Sequence, residues 1–376
     1  MAAKDRVLRA EFPAASQMTY LDVAFHCLLP SSVAQAMADF CQAELQGGVS
    51  PYSWKPLVEE TREQFAQLIG ASSSEIAFVR NTADGLNVVA GSYPWQERDN
   101  VVLSELEHPS NVYPWRNLER HGVQIRVVPN RAGRVPVGEL IAACDDRTRV
   151  VAISAVQWGT GYRADLAILA EYCRSAGIHV AVDAIQALGS ISFDVGALGV
   201  DFLSCGGHKG LLAPYGIAAL YVRRALIPEL TPAYLAEEGV EKTGPFSPIR
   251  LRDDARRFEI GNPNYVGVAG LRAALRLLDD LDVAAIERHV LDLGSQVHDG
   301  LRRRGVEIIG PEAERERSSI VVFRLSEAEG ALERFRAEDI RLSLRSGHIR
   351  VSFHAYNTAA DVDHLLRAVD DHLASL

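Results

Sequence analysis

From residue 75 onward, short apolar runs alternate with amphipathic helical stretches, and this alternation constrains the fold more than any other feature of the chain. Residues 75–79, 100–104, 124–128, 149–154 and 179–182 read as strands. A helical pattern running through 87–91, after a turn at 80–82, and others over 113–121, 137–143 and 165–176 separate them. Strands alternating with helices of this length predict a mostly parallel sheet with helices on both faces. Two further strands, 201–204 and 216–222, follow. An irregular stretch from about 228 to 262 contains Pro228, Pro232, Pro245, Pro248 and the charged run Arg250-Leu-Arg-Asp-Asp-Ala-Arg-Arg257. It marks the exit from the large domain. With 376 residues, about two domains are expected. The boundaries read as an N-terminal arm 1–20, a large domain 21–255 and a smaller α+β C-terminal domain 256–376.

The chemistry concentrates in Asp201-Phe-Leu-Ser-Cys-Gly-Gly-His-Lys209, where an apolar strand stops at two glycines before a His-Lys pair and a second apolar strand. An ammonium between two buried strands is disfavoured, so the pKa of Lys209 should fall. A neutral amine there can form a Schiff base with an aldehyde cofactor. Upstream, Ile178-His-Val-Ala-Val-Asp183-Ala-Ile-Gln186 places Asp183 at the carboxyl end of a buried strand, where open α/β sheets bind ligands. Strand-end aspartates also cap helices or bind metals. Asp183, Gln186, His208 and Lys209 together fit pyridoxal phosphate (PLP), which needs a lysine and a carboxylate facing its pyridinium nitrogen.

Composition narrows the partners. A net charge of −10 argues against nucleic acid and anionic membranes. No apolar run approaches the ~18 residues of a membrane span, and the opening Met-Ala-Ala-Lys-Asp-Arg lacks a signal-peptide core. Cys27, Cys41, Cys144, Cys173 and Cys205 form no CxxC pair, which excludes a zinc knuckle and fits reduced, cytoplasmic thiols. No metal site is expected.

These motifs resemble the fold-type I PLP enzymes of the class V aminotransferase and cysteine desulfurase superfamily. The likeness runs from Tyr20-Leu-Asp-Val-Ala24 to Arg350-Val-Ser-Phe-His-Ala-Tyr-Asn-Thr358. It implies a seven-stranded-type sheet, an N-terminal arm packed with the small domain, and a homodimer. Thr82, with the Ala83 amide beside it, matches the phosphate-binding threonine at a strand-to-helix turn; a plain helix cap is the other reading. His108 matches the histidine stacked on the pyridine face and a proton relay. Gln186 matches the partner of the phenolate oxygen, and His208 a phosphate ligand. Arg350 matches the clamp on the substrate α-carboxylate, and Gln157 a substrate or cofactor contact. Two positions depart from the pattern. Gly206 stands where desulfurases carry a serine, with Ser204 a substitute to be tested. Asn262, in Gly261-Asn-Pro-Asn264, replaces the phosphate-binding threonine supplied by the partner subunit.

Persulfide-forming desulfurases carry a nucleophilic cysteine shortly before the carboxylate-binding arginine. Here Ile340-Arg-Leu-Ser-Leu-Arg-Ser-Gly-His-Ile349 contains none, and Cys205 reads as a packed thiol. Val156-Gln-Trp-Gly-Thr-Gly-Tyr-Arg-Ala-Asp165 and Cys205-Gly-Gly-His-Lys are more similar to the isopenicillin N epimerase-like and C–S lyase branch. The expectation is β-elimination on an S-substituted cysteine, releasing a thiol, pyruvate and ammonia. Transamination, epimerisation or decarboxylation of a small amino-acid substrate is the alternative. Phe25-His-Cys-Leu-Leu29, Tyr52 and Trp54 are expected at the entrance.

Overall fold

The computed structural model describes residue 8 and residues 10–47, 54–241, 244 and 246–376; Tyr52 lies outside the described residues. A two-residue strand, β1 (Thr19–Tyr20), comes first, then helices Ser31–Leu45 and Lys55–Leu68. The main sheet contains β2 (Ile76–Val79), β3 (Asn100–Ser104), β4 (Gln124–Val128), β5 (Thr148–Ser154), β6 (His179–Asp183), β7 (Phe202–Gly206) and β8 (Ala218–Val222). Its seven strands run in the order β2-β8-β7-β6-β5-β3-β4. Only the pairings of β8 with β2 and β7 are antiparallel. The expected α/β architecture, a mostly parallel seven-stranded sheet, is the one observed.

Successive strand residues point to opposite faces. Val150, Ala152, Ala181 and Phe202 enter one apolar cluster, while Val151, Ile153, Val180 and Val182 enter the other. Burial on both faces explains why these strands read as continuous apolar runs rather than alternating ones. Helix Leu166–Ala176 starts where Asp165 accepts a hydrogen bond from the Ile168 amide and ends at Gly177, whose φ is +68°. The helix expected over 113–121 breaks after Arg116 into a tighter 3-10 turn, Asn117–His121.

A second sheet holds β9 (Ile308–Ile309), β10 (Ile320–Phe323), β12 (Ser343–Arg345) and β13 (His348–Ser352) in the order β12-β13-β10-β9. β11 (Ile340–Arg341) pairs in parallel with β1, Thr19 opposite Ile340, so the N-terminal strand lies against the C-terminal part of the chain. Helix Tyr265–Leu281 buries Val268, Leu271, Leu275 and Leu278 on one face and packs on helices Ser31–Leu45 and Lys55–Leu68. Among the described residues, no helix is long and apolar enough to cross a membrane.

One buried ion pair anchors the edge strand that leads into the site. Arg62 is 2% exposed, and its Nη1 donates to Glu259 Oε1 at 2.6 Å and to the Ile76 carbonyl at 2.9 Å. The same Glu259 oxygen accepts the Phe78 amide at 2.7 Å, so one carboxylate joins β2 to the 255–264 segment. Removing one partner strands the other without compensation, which costs about 3–5 kcal/mol. Arg62→Met should therefore lower the unfolding free energy of the apoprotein by about that amount. Urea denaturation checks this, and Glu259→Gln in the same background should recover part of the loss.

Candidate active site

Asp183 ends β6, and Ser204 lies opposite it on β7. Lys209 follows in the loop between β7 and β8. That loop crosses the turn after β6 backbone to backbone: a Cβ on Gly189, at φ +84°, would stand 2.0 Å from the Gly210 carbonyl oxygen. Only glycine accepts both the torsion and the approach. His354 Nε2 lies 3.0 Å from the same carbonyl, and burial pushes this imidazole down to about 4, so it donates as the neutral ring. Burial pushes the Lys209 amine down to about 8; Asp183 opposes the shift while Arg350 and Arg345 add to it. Burial raises the Asp183 carboxyl to about 6, against the Ile185 amide and the Lys209 charge. Asp183 Oδ1 accepts the Ile185 N–H at 3.0 Å.

Asn81, not Thr82, caps helix Thr82–Ser92, its side chain accepting the Asp84 N–H at 2.9 Å. Thr82 and Ala83 occupy the first two helical positions, whose N–H groups have no intrahelical acceptor. The Gly206 N–H donates to Thr82 Oγ1 at 3.0 Å, which leaves the hydroxyl proton of Thr82 free for an anion. A Cβ on Gly206 would meet Thr82 Oγ1 at 3.2 Å and His208 Cε1 at 3.4 Å, so the three residues share one small space. The Ser204 substitution does not hold. Ser204 is fully buried and its hydroxyl donates to the Thr82 carbonyl at 2.9 Å, serving the helix rather than a ligand. His208 stacks on Tyr215 with ring centroids 4.4 Å apart, and burial with the Lys209 charge pushes it down to about 4.

His108 caps a turn through Nδ1, which accepts the Ser110 N–H at 3.1 Å, so the neutral ring carries its proton on Nε2. Burial and the charges of Lys209 and Arg350 lower its pKa. The ring meets Trp158 edge-on at 5.1 Å. Gln157 is fully buried and its Nε2 donates to Glu107 at 2.6 Å. Arg350, 1% exposed on β13, donates to the Trp158 carbonyl at 2.9 Å, to Ser343 Oγ at 3.2 Å and to Asp22 Oδ1 at 3.3 Å. Of its five N–H groups, one on each terminal nitrogen stays free, the fork a carboxylate takes.

Gln186 Nε2 donates to the Ala24 carbonyl at 2.9 Å and keeps one N–H free. The segment after β1 flanks the lysine loop, since the Cys27 amide donates to the His208 carbonyl at 2.9 Å. Phe25 is 53% exposed under the Arg345 guanidinium, 5.5 Å from its ring centre. Trp54 instead packs on Phe40 and donates to Glu44, both in helix Ser31–Leu45. Asn262 is exposed and lines a surface cavity with Arg80, Asp84, Tyr234 and Asn264; Lys209, Asp183, His208 and Arg350 are not among its walls.

The donor set suits pyridoxal phosphate. A buried amine of lowered basicity, a buried carboxylate with one hydrogen bond, and free amide and hydroxyl donors at a helix start would hold its aldehyde, ring nitrogen and phosphate respectively. Sequence reasoning passed over Glu107, Asp22, Ser343 and Trp158. Glu107, immediately before His108 with Asn111 four residues on, was the one readable signal.

Residues 19–365 match the Aminotransferase class-V family. A cysteine desulfurase of Yersinia pestis is 30% identical over 96% of both chains. The solved apo structure of a cysteine desulfurase from Thermococcus onnurineus superposes with a TM-score of 0.91 at 25% identity, covering 99% of this chain and 98% of that one. The cystine C–S lyase C-DES, solved with its product cysteine persulfide, has the same fold, with a TM-score of 0.90 at 23% identity over 96% of this chain and 99% of its own. The chain belongs to the class-V aminotransferase family and is a pyridoxal-phosphate-dependent enzyme.

Proposed function

We propose that this enzyme cleaves the C–S bond of an S-substituted cysteine by β-elimination, consuming water and releasing a thiol, pyruvate and ammonia. The hairpin β12–β13 carries the reading. Arg345 pairs with His348 across a two-residue turn, Ser346 at φ 49° and Gly347 at φ 79°. The turn leaves no loop before Arg350 on which a nucleophilic thiol could ride. The buried cysteines do not replace it: Cys205 is wholly enclosed with its pKa driven far up, and burial pushes Cys27 to about 12. A thiol held protonated is a poor nucleophile.

Bound PLP supplies the electron sink that makes the substrate Cα–H acidic. The residues proposed here do the rest. Lys209 Nζ, with its pKa near 8, takes the Cα proton close to neutral pH. Asp183 keeps a proton on the ring nitrogen, and Thr82, Ala83 and His208 receive the phosphate. Gln186 offers its free N–H to the phenolate oxygen. Arg350 binds the α-carboxylate with its two spare N–H groups, and His108 packs over the ring. The expelled thiolate needs no protein sulfur.

Tyr234 and Ile260, which line the Asn262 cavity, are 68% and 50% exposed, and Leu235, Phe246 and Ile249, in the same 234–260 stretch of chain, are 40%, 100% and 72% exposed. This apolar surface supports a homodimer in which Asn262 reaches the partner's phosphate. The free thiols support a cytoplasmic setting.

Three measurements test this reading. Lys209→Ala should abolish pyruvate release from cysteine conjugates and the visible absorbance of the PLP-loaded protein, and wild type that binds PLP yet forms no pyruvate rules out elimination. Covalent capture of PLP by the apoenzyme requires the neutral amine, so its rate should climb with pH to a plateau above about 8; a climb continuing past 10 means that Lys209 is not desolvated. Phe246→Asp with Ile260→Asp should shift the mass seen by light scattering from dimer to monomer.

A further inference from the structure

The loop between Lys209 and β8 is folded so as to fix one exposed aromatic ring. The Gly207 N–H donates to the Ile217 carbonyl and the Gly207 carbonyl accepts the Ala213 N–H, both at 2.9 Å, which draws residues 213–217 back against Gly207. Pro214 presses on helix Tyr265–Leu281 so closely that a Cβ on Gly270 would stand 2.9 Å from it. Gly216, at φ +82°, accepts Asn264 Nδ2 through its carbonyl at 3.2 Å. Both neighbours of Tyr215 are thus anchored, yet its own side chain is 60% exposed. The Tyr215 ring lies on the His208 imidazole, with centroids 4.4 Å apart and planes 21° from parallel.

That imidazole borders the start of helix Thr82–Ser92. From the point where a side chain at Gly206 would begin, His208 Cε1 is 3.4 Å away and Thr82 Oγ1 is 3.2 Å away. Gly206 brings no side chain to this space, and Ser204 turns its hydroxyl to the Thr82 carbonyl. His208 and Thr82 are therefore the side chains left to meet an anion beside the free N–H groups of that helix. Among the described residues no hydrogen bond holds the His208 ring. Burial and the Lys209 charge push it down to about 4, so near neutral pH it carries a single ring N–H. A charged ring would be drawn to an anion from any angle, whereas a neutral one must be aimed. We propose that Tyr215 is a positioning residue for the cofactor phosphate: stacked on His208, it fixes the imidazole plane so that the ring N–H serves an anion at the start of helix Thr82–Ser92. Stacking sets a plane as a hydrogen bond would, without occupying either nitrogen. The inference rests on the proposed role of His208 as a phosphate partner and is independent of which substrate bond is broken.

Two measurements test it. In apoprotein with ¹³C-labelled histidine, the His208 Hε1 resonance should lie upfield of the ordinary imidazole range, shielded by the tyrosine face. It is assigned by its loss in His208→Asn, should move downfield in Tyr215→Leu and should stay in place in Tyr215→Phe. Binding is then measured with deoxypyridoxine phosphate, which has a methyl group in place of the aldehyde and forms no imine, and with deoxypyridoxine, which lacks the phosphate. Tyr215→Leu should raise the Kd of the phosphorylated compound about fivefold, the equivalent of about 1 kcal/mol. It should leave the Kd of the other unchanged, and Tyr215→Phe should bind both like wild type. In the His208→Asn background, Tyr215→Leu should cost nothing more. A ring present only to meet a partner subunit would change both affinities or neither, and either result overturns the proposal. So does a further loss in the His208→Asn background, or an unshielded Hε1 in wild type. His208→Asn that binds the phosphorylated compound like wild type defeats the phosphate role of His208, and the proposal falls with it. A weakened His208→Asn beside an unaffected Tyr215→Leu overturns the proposal alone.

Discussion

A lysine and an aspartate of opposite charge sit at the ends of neighbouring buried strands, and the low polarity around them pushes both toward neutrality. Burial lowers the Lys209 amine to about 8 and raises the Asp183 carboxyl to about 6, while each charge stabilises the other. Neither group could be kept there by a solvated loop. The close crossing of the turn at Gly189 with the loop at Gly210 supplies the rigidity, and His354, in the turn after β13, bonds to the same crossing. The lowered basicity of this amine is thus a product of sheet packing, since the same residue on a free hairpin would stay fully protonated.

Around that pair, the candidate site residues come from different strands. Thr82 follows β2, His108 follows β3, Gln157 follows β5 and Arg350 lies on β13. Their hydrogen bonds interlock: Trp158 joins Arg350 to His108, and Glu107 joins the loop after β3 to the end of β5. Such a network holds geometry only while every donor meets an acceptor.

What the sequence made legible was local. Strand periodicity gave the sheet, and with it the place of Asp183 at the end of β6 and of Lys209 in the loop after β7, because the chain around each residue carries the reason for its placement. The failures were tertiary. Ser204 looked available to a ligand, yet strand alternation turns it to the same face as Gly206, beneath helix Thr82–Ser92. The alternative reading of Thr82 as a helix cap falls, since Asn81 holds that position. Glu107 shows in the sequence only through its nearness to His108 and Asn111, because its other donors, Ser154 and Gln157, lie 47 and 50 residues away. Asp22 is hidden for the same reason. Asn262 matched by motif, but its place on an exposed cavity depends on the packing of the 255–264 segment through Glu259.

The contact between Asp22 and Arg350 joins positions 328 residues apart, and β1 finds its partner only at β11. A nascent chain on the ribosome can assemble the central sheet early, but the Asp22–Arg350 contact cannot form until almost all of the polypeptide has emerged. Truncated translation products would therefore carry Lys209 and Asp183 without the arginine whose charge bears on that lysine.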